Sequence, residues 1–187
     1  MKRIALAMLL ALPVLAGCST TRLLRQPGDV PVSGRAERTR TKQALDYSVA
    51  VRIAAPPATV WAVLTDAPSY KTWNSTVVSL DGSIAAGGKL ALVSHIAPKR
   101  TFKLQVSEFE APHHMVWEDG NSMFLGVRTF TLTATGDRAT TFVMSETFSG
   151  GMLGMIEGKL PDFTPDFEAF AADLKQEAER RNAPASN

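Results

Sequence analysis

Residues 46–53 alternate. Tyr47, Val49, Val51 and Ile53 fall on one face of an extended segment, with Asp46, Ser48, Ala50 and Arg52 on the other. Period two predicts a half-buried strand. Ala55-Pro56-Pro57 ends it, and Pro57 to Thr65 then reads as a short helix with Val60, Trp61 and Leu64 on one stripe. A second helical turn is predicted over Ser69 to Asn74. Strands are expected at Thr76–Leu80, Lys89–Ile96, Arg100–Phe109, His114–Glu118, Phe124–Thr135 and Thr140–Phe148. Turn pairs such as Asp81-Gly82, Gly87-Gly88, Asp119-Gly120 and Gly136-Asp137 separate them. Connections this short favour antiparallel neighbours. Near the C-terminus Phe163, Phe167, Phe170 and Leu174 form one apolar helical stripe, with Asp166, Asp173, Lys175, Glu177 and Arg180 behind it. Thr164 is the expected N-cap and Pro165 the first helical residue. The pattern predicts an α+β domain, 44–187, in which a curved antiparallel sheet covers its apolar face with the last helix.

The first 43 residues read differently. Lys2 and Arg3 precede an apolar run from Ile4 to Val14 that is too short to span a bilayer core of about 30 Å. Leu15-Ala16-Gly17-Cys18 follows, and Cys18 is the single cysteine. This resembles the lipobox of a bacterial lipoprotein precursor. The resemblance implies a signal peptide over 1–17, diacylglycerol on the Cys18 thiol, and a mature chain held to a membrane. At about 0.8 kcal/mol per buried CH₂, two acyl chains already make release slow. Ser19 resembles an outer-membrane sorting signal, which implies a periplasm-facing outer-membrane protein. Residues 18–43 lack apolar periodicity and contain Pro27, Gly28, Pro31 and Gly34, so a flexible tether is expected. Its span would be about 25–30 Å.

Processing changes the meaning of the charge. The chain carries +2, and losing Lys2 and Arg3 brings it to zero. Residues 19–42 hold six basic groups against two acids, which leaves −4 for residues 43–187. The basic isoelectric point therefore belongs to the signal and the tether. It gives no support to nucleic-acid binding.

Charge is sparse on the expected apolar face, so its exceptions stand out. Phe124, Gly126, Arg128, Phe130 and Leu132 share a face, as do Phe142, Met144, Glu146 and Phe148 on the next strand. A three-residue loop at 136–138 pairs positions summing to 274, which sets Arg128 opposite Glu146. The pair reads as a structural ion pair at the sheet end, an anchor for a ligand carboxylate or phosphate, or an acid/base group. Phe102, Leu104 and Val106 are expected on the concave face, and Trp73 and Trp117 as core or cavity wall. His113 and His114 diverge to opposite faces and His95 points outward, so neither a metal nor a cofactor is expected. No phosphate loop, dinucleotide glycine pattern or nucleophile elbow occurs. Gly150 to Glu157, rich in Gly and Met, is either a lid or a packed amphipathic turn.

Val51-x-Ile53-x-Ala55-Pro56, Val60-Trp61-x-x-Leu64-x-Asp66 and Tyr70-x-x-Trp73-Asn74, with Thr129-Phe130-x-Leu132 and Glu146-x-Phe148-x-Gly150 later, resemble the SRPBCC superfamily over about residues 44–180. That superfamily includes START-like and polyketide cyclase/dehydrase-like proteins. The resemblance implies a helix-grip fold: a seven-stranded sheet wrapped on a long C-terminal helix, two short helices after the first strand, and an apolar cavity between. It carries over no shared catalytic residue. Candidate ligand-binding residues are Trp73, Phe102, Trp117, Arg128, Phe130, Met144, Glu146 and Phe167. The expected function is a membrane-anchored monomeric module that binds or carries a lipid, isoprenoid or similar apolar ligand. The alternatives are a cyclase, dehydratase or hydrolase using Glu146 and Arg128, and an envelope interaction protein without ligand.

Overall fold

The computed structural model describes residues 27–184. The expected signal peptide, with Cys18 and Ser19, lies outside the described residues. Eight strands form one antiparallel sheet: β1 Glu37–Arg40, β2 Ala44–Ile53, β3 Val77–Gly82, β4 Lys89–Ser94, β5 Thr101–Glu110, β6 His114–Asn121, β7 Phe124–Ala134 and β8 Thr140–Ser149. The helices are α1 Pro57–Leu64, α2 Tyr70–Trp73, α3 Leu153–Ile156 and α4 Thr164–Asn182. Strands β3 to β8 run as a meander, and β2 closes onto β8, giving the order β1-β2-β8-β7-β6-β5-β4-β3.

Every strand expected from alternation is present. The two short helices follow β2, as expected for the first apolar strand. Register shifts in β3 at Val77/Ser79 and in β5 at Val106/Glu108 mark bulges; bulges add local bend and twist to a sheet. Helix α4, 19 residues long, crosses the concave face for about 28 Å and packs on β2, β8, α1 and α2. Phe167, Phe170, Ala171, Leu174 and Ala178 are its buried positions, spaced to form one stripe. The helix begins one residue earlier than expected. Thr164 is its first residue rather than its cap, and Asp162 Oδ1 accepts from Thr164 N at 3.0 Å and Oγ1 at 2.7 Å.

Two expectations need correction. The sheet has eight strands, not seven, and the tether does not extend to residue 43. Val30 is buried with Ala50 and Val143 on the back of β2 and β8, and Val32 bridges Ala50. β1 then pairs with β2, setting Glu37 opposite Ser48 and Arg40 opposite Leu45. This cover explains why Ser48 and Ala50, assigned to a solvent face by alternation, are buried. The new edge strand presents Glu37, Arg38, Thr39 and Arg40, and charge on an edge discourages further strand pairing.

The stretch after β8 is a packed turn. Gly150 has φ +116°, and a Cβ there would lie 2.6 Å from the Met123 carbonyl oxygen. Leu153 is buried while Met155 is exposed, so α3 is pinned by one side chain. Glu157, just beyond, accepts from Arg38 Nη2 at 3.2 Å and Arg40 Nε at 2.6 Å. Among the described residues, no helix is long and apolar enough to cross a membrane.

Candidate ligand cavity

Cross-strand register builds the site. Val106, Trp117, Arg128, Glu146 and Tyr47 stand opposite one another in sequence across β5, β6, β7, β8 and β2. Arg128 faces Glu146, Phe130 faces Met144 and Leu132 faces Phe142, the register expected from the loop length. The row beside it, Met115, Phe130 and Met144, is fully buried.

Between this concave face and the start of α4 lies a cavity of about 290 Å³. That is near the lower bound of small-molecule sites, about 300–1,000 Å³. Its floor and walls include Phe102, Leu104, Trp117, Met144, Phe148 and Phe167. Exposed Arg100, Lys159 and Pro161 stand at its rim. The segment 159–163 that supplies the rim follows directly on Glu157, so the arginines of β1 hold the rim in place.

An ion pair, Arg128 with Glu146, interrupts the apolar wall, and Asp119 and Asp166 also reach the lining. Arg128 donates from Nε at 3.1 Å and from Nη2 at 2.5 Å, both to Glu146 Oε2. Their side chains are 22% and 13% exposed, so the pair is largely withdrawn from water. The Arg128 guanidinium also lies 5.5 Å from the Phe167 ring centroid, a cation–π contact from α4. Asp166, on the same turn of α4, lines the cavity, and burial raises its carboxyl above the ordinary range although the Arg128 charge opposes this. Tyr70 closes the core behind Trp117 and donates its hydroxyl to the Leu64 carbonyl at 2.8 Å. Burial pushes that phenol well above its ordinary value. Trp117 Nε1 is buried without a hydrogen-bond partner.

Six of the eight candidate residues meet at the cavity: Phe102, Trp117, Arg128, Met144, Glu146 and Phe167. Trp73 and Phe130 do not line it. Trp73 packs on Tyr70 and Phe170 and donates to Ser69 Oγ at 3.2 Å. Phe130 is sealed among Trp117, Phe142 and Phe170. Both belong to the packed core because α4 reaches the sheet at Phe170 and fills that end. Sequence reasoning passed over Gly126, Phe124, Phe148 and Asp166 as cavity residues. The first three were legible, since they share the alternating face of Arg128 and Glu146. His95 is exposed, and His114 Nε2 lies 3.0 Å from Glu108 Oε2 on the outer surface. Among the described residues, no cluster of three or more His, Cys, Asp or Glu side chains could hold a metal.

The sequence pattern of the family described as polyketide cyclase/dehydrase and lipid transport matches residues 44–179. The chain belongs to that family. The match begins at β2, so the N-terminal cover and β1 lie outside the region shared with the family. A START superfamily protein from Mycobacterium smegmatis shares the fold at TM-score 0.56 and 17% identity, covering 73% of this chain and 98% of its own. A conserved protein of unknown function from Enterococcus faecalis gives 0.58 and 17%, covering 80% of each chain. Norcoclaurine synthase from Thalictrum flavum, solved with a transition state analogue, gives 0.60 and 12%, covering 78% of this chain and all of its own. At these identities the likeness establishes the helix-grip fold. No curated protein sequence matches the chain.

Proposed function

We propose that this protein is a membrane-anchored carrier that holds an apolar small molecule between its sheet and α4. The observation that carries this reading is the cavity: about 290 Å³, walled largely by aromatic and aliphatic side chains, with the Arg128–Glu146 pair inside it. An apolar ligand gains by leaving water for such a wall, at roughly 25 cal/mol per Å². The family's joint description as cyclase/dehydrase and lipid transport supports binding of this kind. The anchor rests on Leu15-Ala16-Gly17-Cys18, and Ser19 favours the outer membrane. Acylation at Cys18 would bring the cavity within tens of ångströms of a lipid reservoir, which makes a lipid or isoprenoid the preferred cargo.

Native mass spectrometry of the full chain purified from its host tests the reading. The expected result is a retained apolar molecule that is lost when Met144 is enlarged to Trp. An empty protein that also fails to bind an apolar fluorophore would refute it. Radiolabelled palmitate incorporation that disappears in Cys18→Ser tests the anchor separately.

A cyclase-type enzyme is the second reading. It is favoured by the placement of Asp166, with its raised carboxyl, on the same cavity as Arg128 and Glu146. Turnover of a polyketide-like substrate, abolished by Glu146→Ala in a folded protein, would promote it.

A further inference from the structure

The ion pair in the cavity is lopsided. Arg128 spends Nε and Nη2 on a single oxygen, Glu146 Oε2. Arg128 Nη1 and Glu146 Oε1 have no partner among the described residues, and neither is sealed from the cavity as Trp117 Nε1 is. Gly126 sits beside them. A Cβ built on it would lie 3.5 Å from Glu146 Oε1 and 3.4 Å from the Phe148 ring, so a methyl there would pack against Oε1. The ion pair thus keeps one donor nitrogen and one acceptor oxygen uncommitted on the cavity lining.

We infer that the polar end of the ligand is uncharged and both donates and accepts a hydrogen bond, as a hydroxyl or primary amide does. The inference rests on the carrier reading above. Its physical basis is charge balance. Arg128 is already neutralised by Glu146 at hydrogen-bond distance, and Asp166 also lies in its field. An incoming carboxylate or phosphate would meet three acids on the cavity lining, Asp119, Glu146 and Asp166, and one compensated cation largely withdrawn from water, where unpaired charge is costly. The exposed cations of the rim, Arg100 and Lys159, are screened by solvent and cannot make up the difference. A hydroxyl or amide instead donates to Oε1 and accepts from Nη1 without disturbing the pair.

Displacement of N-phenylnaphthylamine from the full-length chain by decanamide, decanol and decanoate at pH 8 tests this. Chains of this length suit the cavity, and decanoate is ionised there. The amide and alcohol should bind at least about tenfold more tightly than the carboxylate, the differential of one well-placed polar contact. Glu146→Gln leaves Arg128 uncompensated and should shift the ratio toward decanoate by about tenfold or more. Gly126→Ala keeps the ion pair and covers Oε1. It should weaken decanamide and decanol several-fold more than it weakens decanoate. Equal or tighter binding of decanoate to the unaltered chain, or an unchanged ratio in both variants, overturns the inference while leaving the carrier reading in place. Failure of all three probes on the unaltered chain overturns the carrier reading and the inference with it.

Discussion

Arg128→Met removes the guanidinium while keeping much of the apolar stem, and it leaves Glu146 beside Gly126 without its cation. Taking one partner from a fully buried pair costs about 3–5 kcal/mol, because the other charge stays desolvated. Here the two side chains are 22% and 13% exposed, and water reaching the cavity offsets part of that cost. The expected loss is therefore about 2 kcal/mol, scaled down from the fully buried case. In a chain of this size that lowers Tm by about 4–8 °C. The companion variant Arg128→Met with Glu146→Leu replaces both charges with apolar groups of similar volume, and it should fall within about 1 kcal/mol of the unaltered chain. Urea unfolding followed by tryptophan fluorescence gives the numbers, with the slope against denaturant checked for constancy. Glu146 would then account for the penalty through its isolation rather than through a lost attraction. Two results refute the reasoning. One is a single-variant loss below about 0.5 kcal/mol, the size of a surface pair. The other is a double variant as unstable as the two singles summed, which would mean no coupling across the strands.

Three further outcomes are expected. Phe170→Ala removes a buried ring that meets Tyr70, Trp73, Phe130 and Phe142, and should cost about 3–5 kcal/mol in urea unfolding; a cost under about 1 kcal/mol would show that α4 is not fastened there. Glu157→Gln weakens the contact from Arg38 and Arg40 to the rim, and should cost about 0.5–1 kcal/mol at low salt, with faster amide exchange over residues 37–40 and 157–163; unaltered exchange in both segments would remove β1 as the rim's support. Glu177 is held well below its ordinary 4.5, at about 2, by hydrogen bonds from Arg180 and then from Arg181. Its folded value lies below its unfolded one, so its stabilisation is present above about pH 4.5 and is lost as pH falls toward about 2. Glu177→Gln should flatten the acid limb of stability between those values, and an identical acid-unfolding profile would contradict the assignment.

The sequence by itself determined the strands from residue 44 onward, α1, the apolar stripe of α4 and the pairing of Arg128 with Glu146. Each of these rests on a local signal. Alternation gives the face of a strand, and the three-residue loop at 136–138 fixes which positions stand opposite. The site was therefore half written in the chain: five of its predicted residues share one concave surface because strand alternation puts them there, and Phe167 faces them from the apolar stripe of α4. Tertiary structure decided the rest. β1 escaped notice because Glu37-Arg38-Thr39-Arg40 is an edge strand held by backbone pairing. Its side chains are mostly exposed, which leaves no apolar period to read. The burial of Ser48 and Ala50 escaped for the same reason, since their cover comes from a segment that alternation treats as loop. Phe130 shares the strand face of Arg128 and Trp73 ends α2, yet Phe170 of α4 packs on both and draws them into the core. Where the gap between sheet and helix opens depends on sheet curvature and on the angle of α4. Both are set by many long-range contacts at once, and no stretch of sequence carries them alone.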